Sequence, residues 1–221
     1  MRIGLDGFGE IDQKKVLEPE MERCLVVIKP EHCGIAYDII KYLEQCFGDD
    51  FKQDRIVAVG YKAYDSVSPE IARAHCAQHK GKWFEDILVG QYEGKEAFVV
   101  VYEGPRGLVD KMRKIIGDKD PAKARKQRFV TGDGKYVKTI RGKYSDPEET
   151  LQRSIDGGYG TRNVIHVSDS PFNAIWEIRA WNPHFENPFG LNIGESEDPV
   201  WRLMEFGDFV AGMFYDQNKT A

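Results

Sequence analysis

The sequence predicts an α+β domain of the ferredoxin-like split βαβ type, with an antiparallel sheet and helices on one face. Three observations predict it. Short apolar runs at Cys24–Lys29, Arg55–Tyr64, Glu96–Glu103 and Asn163–Val167 read as strands. Segments with a 3.6-residue apolar period lie between and after them. The order, strand–helix–strand followed by strand–helix–strand, is βαββαβ.

The elements follow in turn. CLVVIK is apolar enough to be a buried strand and is closed by Pro30. Ile35, Ile39 and Leu43, flanked by Ile40 and Phe47, repeat at helical spacing after Gly34. RIVAVGYKAY is the second strand. Ser68 caps a helix expected to run to His79, and Phe84 to Gln91 forms a further short one. EAFVVVYE is the third strand, and Leu108, Val109, Met112, Ile115 and Ile116 mark a helix that stops at Gly117. Residues 118–160 are polar and irregular, with a hairpin RFVTGDGKYV turning at Gly132-Asp133-Gly134 and a small helix from Pro147 to Ser154. The fourth strand, Asn163–Val167, leads through a polar turn into a helix capped by Ser170, with Pro171 at its first position. Phe172, Ile175 and Trp176 are expected to form that helix's apolar face. A last helix is read at Trp201–Phe214. The organisation expected is an N-terminal arm (1–21), one domain (22–181) with an enlarged loop (118–160), and a C-terminal extension (182–221).

Composition narrows the function classes. The chain has 221 residues, 41% hydrophobic and 30% charged, with net charge -5. That is ordinary for a globular protein and gives no reason to expect a nucleic-acid partner. Basic residues nevertheless outnumber acidic ones between Arg106 and Lys143, a pattern suited to a small polyanion. No apolar run reaches the length of a membrane span, so no membrane association is expected. The first twenty residues carry acids and no apolar core, so no signal peptide is expected. The four cysteines lack CxxC spacing and read as reduced thiols. These features point to the cytoplasm.

Motifs that carry chemistry are few. There is no GxxxxGK[ST] phosphate loop. His75 and His79 stand at i, i+4, which is metal-ligand spacing, but no third ligand is evident, so no protein-held metal is expected. Lys29 sits at the exit of a buried strand beside a fixed turn, where a lysine can point into a cleft. Arg113 and Arg141 come from two other parts of the chain. His166 ends the fourth strand, and Glu177 follows in the next helix. A carboxylate behind an imidazole holds one tautomer for nucleophilic or acid–base work. The residues alone favour a histidine packed inside a strand over that role. Cations gathered around one nucleophile are what phosphoryl transfer requires.

Arg162-Asn-Val-Ile-His-Val-Ser-Asp-Ser170 closely resembles the active-site signature N-x-x-H-G-S-D-S of nucleoside diphosphate kinases. LVVIKP (Leu25–Pro30), HCAQHKGKWF (His75–Phe84), VYEG (Val101–Gly104) and TIRG (Thr139–Gly142) resemble further family segments in the same order. The resemblance implies transfer of the γ-phosphate of a nucleoside triphosphate to a nucleoside diphosphate, in a ping-pong reaction through a phosphohistidine. By matching position, His166 is the nucleophile, Glu177 orients its ring, and Ser168 supplies a hydroxyl beside it. Lys29, Arg113 and Arg141 match the phosphate-binding cations, with Lys119 in place of a phosphate-side threonine. Asn163 matches the residue on the sugar hydroxyls and Phe84 the aromatic that stacks on the base. Mg2+ carried by the nucleotide phosphates and a homo-oligomer are also implied. Cys76 stands where the family has the tyrosine that helps place the catalytic lysine, and Val167 where it has glycine. Those departures motivate a second expectation, a nucleotide-binding regulator or scaffold on the same fold with weak or no turnover.

Overall fold

A computed structural model of the chain describes residues 21–53 and 55–181. All but Met21 of the arm expected at 1–21, the whole extension expected at 182–221 and the helix expected at Trp201–Phe214 lie outside the described residues.

Strand β1 (Met21–Ile28) is the organising element. Its residues Cys24 to Ile28 are fully buried. It pairs antiparallel along its whole length with β3 (Ala97–Pro105), from Met21↔Pro105 to Ile28↔Phe98. Strand β2 (Val57–Tyr64) adds to the other edge of β3. The last strand, β6 (Ile165–Val167), pairs with the free edge of β1. The sheet order is therefore β2-β3-β1-β6, the split βαβ arrangement expected.

Alternation along β1 sorts the core into two layers. Cys24, Val26 and Ile28 face α1 (Ala36–Phe47) and α5 (Leu108–Ile116), the two crossover helices. Leu25 and Val27 face the opposite side, covered by α3 (Pro69–His75), α4 (Glu85–Tyr92) and α9 (Pro171–Trp181). A short helix, α2 (Asp49–Lys52), lies between α1 and β2. The crossover helices share one face as expected, but helices on one face alone is corrected. β1 is apolar at every position from 24 to 28, so both of its faces need cover.

The segment 118–160, expected as an enlarged loop, is more regular than its polarity suggests. It holds α6 (Pro121–Ala124), the hairpin β4 (Arg128–Val130) and β5 (Tyr136–Lys138), α7 (Ile140–Tyr144) and α8 (Leu151–Asp156). The hairpin turns at Thr131–Lys135 as read, with Thr131 N donating to Lys135 O at 2.9 Å. The small helix begins at Leu151 rather than Pro147, because the Thr150 hydroxyl caps it at Arg153 N. TIRG opens α7: the Thr139 hydroxyl accepts from Gly142 N at 3.2 Å and donates to Ala124 O at 3.2 Å. A Cβ on Gly142 would collide with that same Ala124 carbonyl, so the glycine lets α6 and α7 close on each other.

The helix expected over Ser68–His79 breaks at His75. Ser68 caps it as read, at 3.4 Å from Ile71 N, but Ala77–His79 is a separate turn of 3₁₀ helix. The two histidines thus leave the shared face that i, i+4 spacing requires.

Candidate active site

Register decides where His166 points. It pairs with Val27 across β1 and β6, and directly opposed residues in an antiparallel pair share a face. Its side chain therefore emerges on the layer built by α3 and α9. Helix α9 starts where expected, the Ser170 hydroxyl accepting from Asn173 N at 3.1 Å. Its buried stripe is Ala174, Glu177, Ile178 and Trp181. The face read as apolar from Phe172, Ile175 and Trp176 is not the buried one, and Phe172 is exposed. The true stripe contains a carboxylate, so counting apolar residues selects its neighbour.

That placement puts Glu177 Oε1 at 2.9 Å from His166 Nε2. The carboxylate fixes the proton on Nε2 and leaves Nδ1 with the lone pair. The side chains are 19% and 6% exposed, so the imidazole is partly accessible while its partner is sealed. Burial alone raises the Glu177 carboxyl, but the charge and hydrogen bond of His166, helped by His75 and the Ser168 hydroxyl, hold it at about 2. Ser168 is fully buried and its Oγ also accepts from Leu25 N at 3.1 Å.

His75 is the residue that sequence reasoning misplaced. Its ring lies edge-on to His166, centroids 4.6 Å apart, rather than beside His79. Its Nδ1 accepts the indole N–H of Trp181 at 3.3 Å. Burial pushes its pKa down to about 3, so it is neutral with its proton on Nε2. His75, His166 and Glu177 bring their donor atoms within 4.8 Å of one another. Within the trio Glu177 bonds His166, His75 meets His166 by ring contact, and Glu177 Oε2 is buried without a partner among the described residues. No local pattern announces this; the contact of His75 with His166 is made by tertiary packing.

The turn that delivers β6 is tight. Asn163 N donates to Thr161 O and Ile165 N to Asn163 O, both at 2.9 Å, and Val164 between them has φ 76°. A β-branched residue in that region is strained, and such strain collects at functional sites. The strand consequently begins at Ile165, two residues later than the apolar run implies.

The expected cations gather at a cavity of about 1510 Å³ lined by Lys29, Arg113, Lys119, Arg141, Asn163 and His166, among others. Lys29 is 4% exposed. Burial lowers its pKa to about 7. Arg141 is 9% exposed; it donates to Gly117 O at 2.9 Å and Ile165 O at 2.8 Å, while its Nε has no partner among the described residues. Burial lowers it to about 10, so it remains charged. Arg113, on the exposed flank of α5, pairs with Asp169. Lys119 is exposed and is tied in through its backbone: Asn163 Nδ2 donates to Lys119 O at 2.9 Å. Asn163 Oδ1 is buried without a partner among the described residues. At the other end Phe84 packs edge-on to His79 and Trp83, and Trp83 is 76% exposed. Lys29, Arg113, Lys119, Arg141, Asn163 and His166 thus line the same cavity as Trp83 and Phe84.

Residues 22–187 match the family model described as nucleoside diphosphate kinase. The chain belongs to the nucleoside diphosphate kinase family. It is 34% identical over 161 residues to a nucleoside diphosphate kinase of Thermosynechococcus vestitus, covering 73% of this chain and 87% of that one. It is 36% identical over 160 residues to one of Pelotomaculum thermopropionicum, covering 72% and 85%. The fold is shared with a solved transition state mimic of nucleoside-diphosphate kinase from Borrelia burgdorferi with bound vanadate and ADP, at TM-score 0.56 and 21% identity, covering 73% and 87%. It is also shared with the Aquifex aeolicus nucleoside diphosphate kinase, at TM-score 0.52 and 23% identity, covering 73% and 94%.

Two departures from the family pattern have structural readings. Val167 faces the α5 side of the sheet and is buried in that core, so its Cβ lies on the far side of the strand from the imidazole. Cys76 is buried, and burial pushes its thiol up to about 12, so it stays protonated. No helix among the described residues is long and apolar enough to cross a membrane.

Proposed function

We propose that this family member is an active nucleoside diphosphate kinase that carries the phosphoryl group on His166. The observation that carries the reading is the His166–Glu177 pair opening onto a cavity walled by buried cations. In the first half-reaction the Nδ1 lone pair attacks the γ-phosphorus of a nucleoside triphosphate. The bond from that phosphorus to the β–γ bridging oxygen breaks, and the nucleoside diphosphate leaves with the electron pair. The imidazole keeps its Nε2 proton and becomes cationic, which the Glu177 carboxylate stabilises. The second half reverses these bonds with the terminal oxygen of another diphosphate.

Lys29, Arg141 and Arg113 supply positive charge where negative charge spreads over the transferring oxygens. The unpartnered Arg141 Nε is a donor for a phosphate oxygen, and the unpartnered Asn163 Oδ1 an acceptor for a sugar hydroxyl. Phe84 offers a face to any base, so weak base discrimination follows. Mg2+ fits as an ion brought by the nucleotide: the carboxylates at the cavity, Asp110, Asp118 and Asp169, form no ligand cluster among the described residues. Asp118 and Asp169 line the cavity and would be the protein groups available to it, Asp169 by exchanging its pair with Arg113. Such an ion would supply further neutralisation of the developing charge, beside that of Lys29, Arg141 and Arg113.

The test is γ-phosphate exchange from ATP to a panel of nucleoside diphosphates. The reading expects transfer to purine and pyrimidine acceptors alike, with parallel double-reciprocal lines. Nucleotide binding without transfer to any acceptor would instead mark a binding protein on the same fold.

A further inference from the structure

Lys29 is a buried amine whose hydrogen-bond partners among the described residues are all neutral. Its Nζ donates to the Thr161 carbonyl at 2.6 Å and to the Thr161 hydroxyl at 2.7 Å. The third contact, to Gln91 Oε1, is long at 3.4 Å. An ammonium has three protons. One residue holds two of them by short charge-assisted bonds, and the third is weakly held.

Thr161 is itself fixed from several sides. Its carbonyl also accepts from Gln91 Nε2 at 2.7 Å and from Asn163 N at 2.9 Å. The preceding Gly160 has φ 79°, and a Cβ there would meet Gln91 Oε1 at 2.9 Å, so glycine is what lets Gln91 close on the turn. On the following side, Arg162 N donates to the Ser154 hydroxyl at 3.2 Å, which donates to Glu149 Oε1 at 2.8 Å. Ser154 and Glu149 are both buried, so the enlarged loop braces this turn. Cys76 supplies the lysine with no hydroxyl, and its thiol stays neutral.

We propose that Thr161 is a positioning residue for phosphoryl transfer, its carbonyl and hydroxyl together aiming the Lys29 ammonium into the cavity. The long Gln91 contact is the one that an arriving phosphate oxygen displaces. Gln91 then keeps its bond to the Thr161 carbonyl and stays in place. The inference rests on the kinase reading above, and on contacts that stand independently of it.

Two variants test it: Thr161→Val removes the hydroxyl at nearly constant shape, and Thr161→Ser restores it. With MgATP, Thr161→Val is expected to slow phosphoryl transfer about ten- to a hundredfold, as loss of a charge-assisted hydrogen bond does. The fall belongs in kcat, with KM for the nucleotide moving little. Losing an acceptor destabilises the charged amine, so the alkaline limb of the pH profile moves to lower pH in the valine variant and returns in the serine variant. Nitrogen-15 NMR of the lysine side chains, assigned with Lys29→Gln, reads the same titration without turnover. A downward shift in valine that serine reverses supports the proposal. An unchanged rate and titration in valine, or serine no better than valine, overturns it. If the wild type transfers nothing, the kinase reading fails and the transfer role of Thr161 with it, while the NMR titration still decides whether Thr161 holds the Lys29 ammonium.

Discussion

Replacing His166 with alanine is expected to abolish phosphoryl transfer, by about 10⁴-fold or more, because among the described residues no other side chain at the cavity has an imidazole bonded to a carboxylate. The same substitution tests the electrostatics of the pair. In the wild type Glu177 sits at about 2, below the ordinary carboxylate value. Its pairing therefore contributes stability that is fully present above about pH 4.5 and is lost as pH falls through about 2. Without His166 the largest remaining influence is burial, which raises the carboxyl. In His166→Ala the contribution changes sign: the buried carboxylate destabilises the fold as pH rises above the ordinary carboxylate value. Denaturant titration at neutral pH is expected to show a loss of about 1–3 kcal/mol, largely recovered in His166→Ala combined with Glu177→Gln. A single variant as stable as the wild type at neutral pH, with an unchanged acid limb, would contradict this account of the pair.

Lys29→Met is expected to make the protein more stable and inactive at once. Burial lowers the lysine to about 7 from an ordinary value of 10.5. Between those values the unfolded chain binds more protons than the folded one, so wild-type stability rises with pH across that window, and the cost of the buried ammonium is fully present below pH 7. Methionine has a similar shape and no charge to desolvate. The Thr161 carbonyl keeps its bonds from Gln91 and Asn163. The variant should gain on the order of 3 kcal/mol at pH 7 and lose the dependence on pH between about 7 and 10.5. Transfer should fall by about 10²–10³-fold, as when one positioned charge is removed from a transition state. Equilibrium unfolding across pH and the exchange assay check the two halves. Stability at pH 7 below that of the wild type would contradict the stated cost of burying Lys29.

Much of this molecule can be read from local pattern. β1, β3, α1 and α5 follow from apolar runs and a 3.6-residue period because their burial is continuous or one-sided. The residues at the cavity were legible through the signature around His166 and the order of the segments resembling the family. What local pattern missed was set by contacts distant in sequence. Glu177 makes the buried stripe of α9 look polar, which sent the apolar reading to Phe172, Ile175 and Trp176. His75 looked like half of a helical pair with His79, but the helix ends at His75 and its ring meets His166. The cover on the second face of the sheet comes from α3, α4 and α9, elements that the βαββαβ order does not place. The grip of Thr161 on Lys29 spans most of the chain and has no periodic trace.

The central claim is that His166 carries the phosphoryl group. Incubation with γ-labelled ATP and magnesium, followed by mapping of the labelled peptide, tests it most directly. The account predicts acid-labile, base-stable label on the peptide containing His166, discharged on adding a nucleoside diphosphate. Label that is absent, lies on another residue, or does not pass to a diphosphate would contradict it.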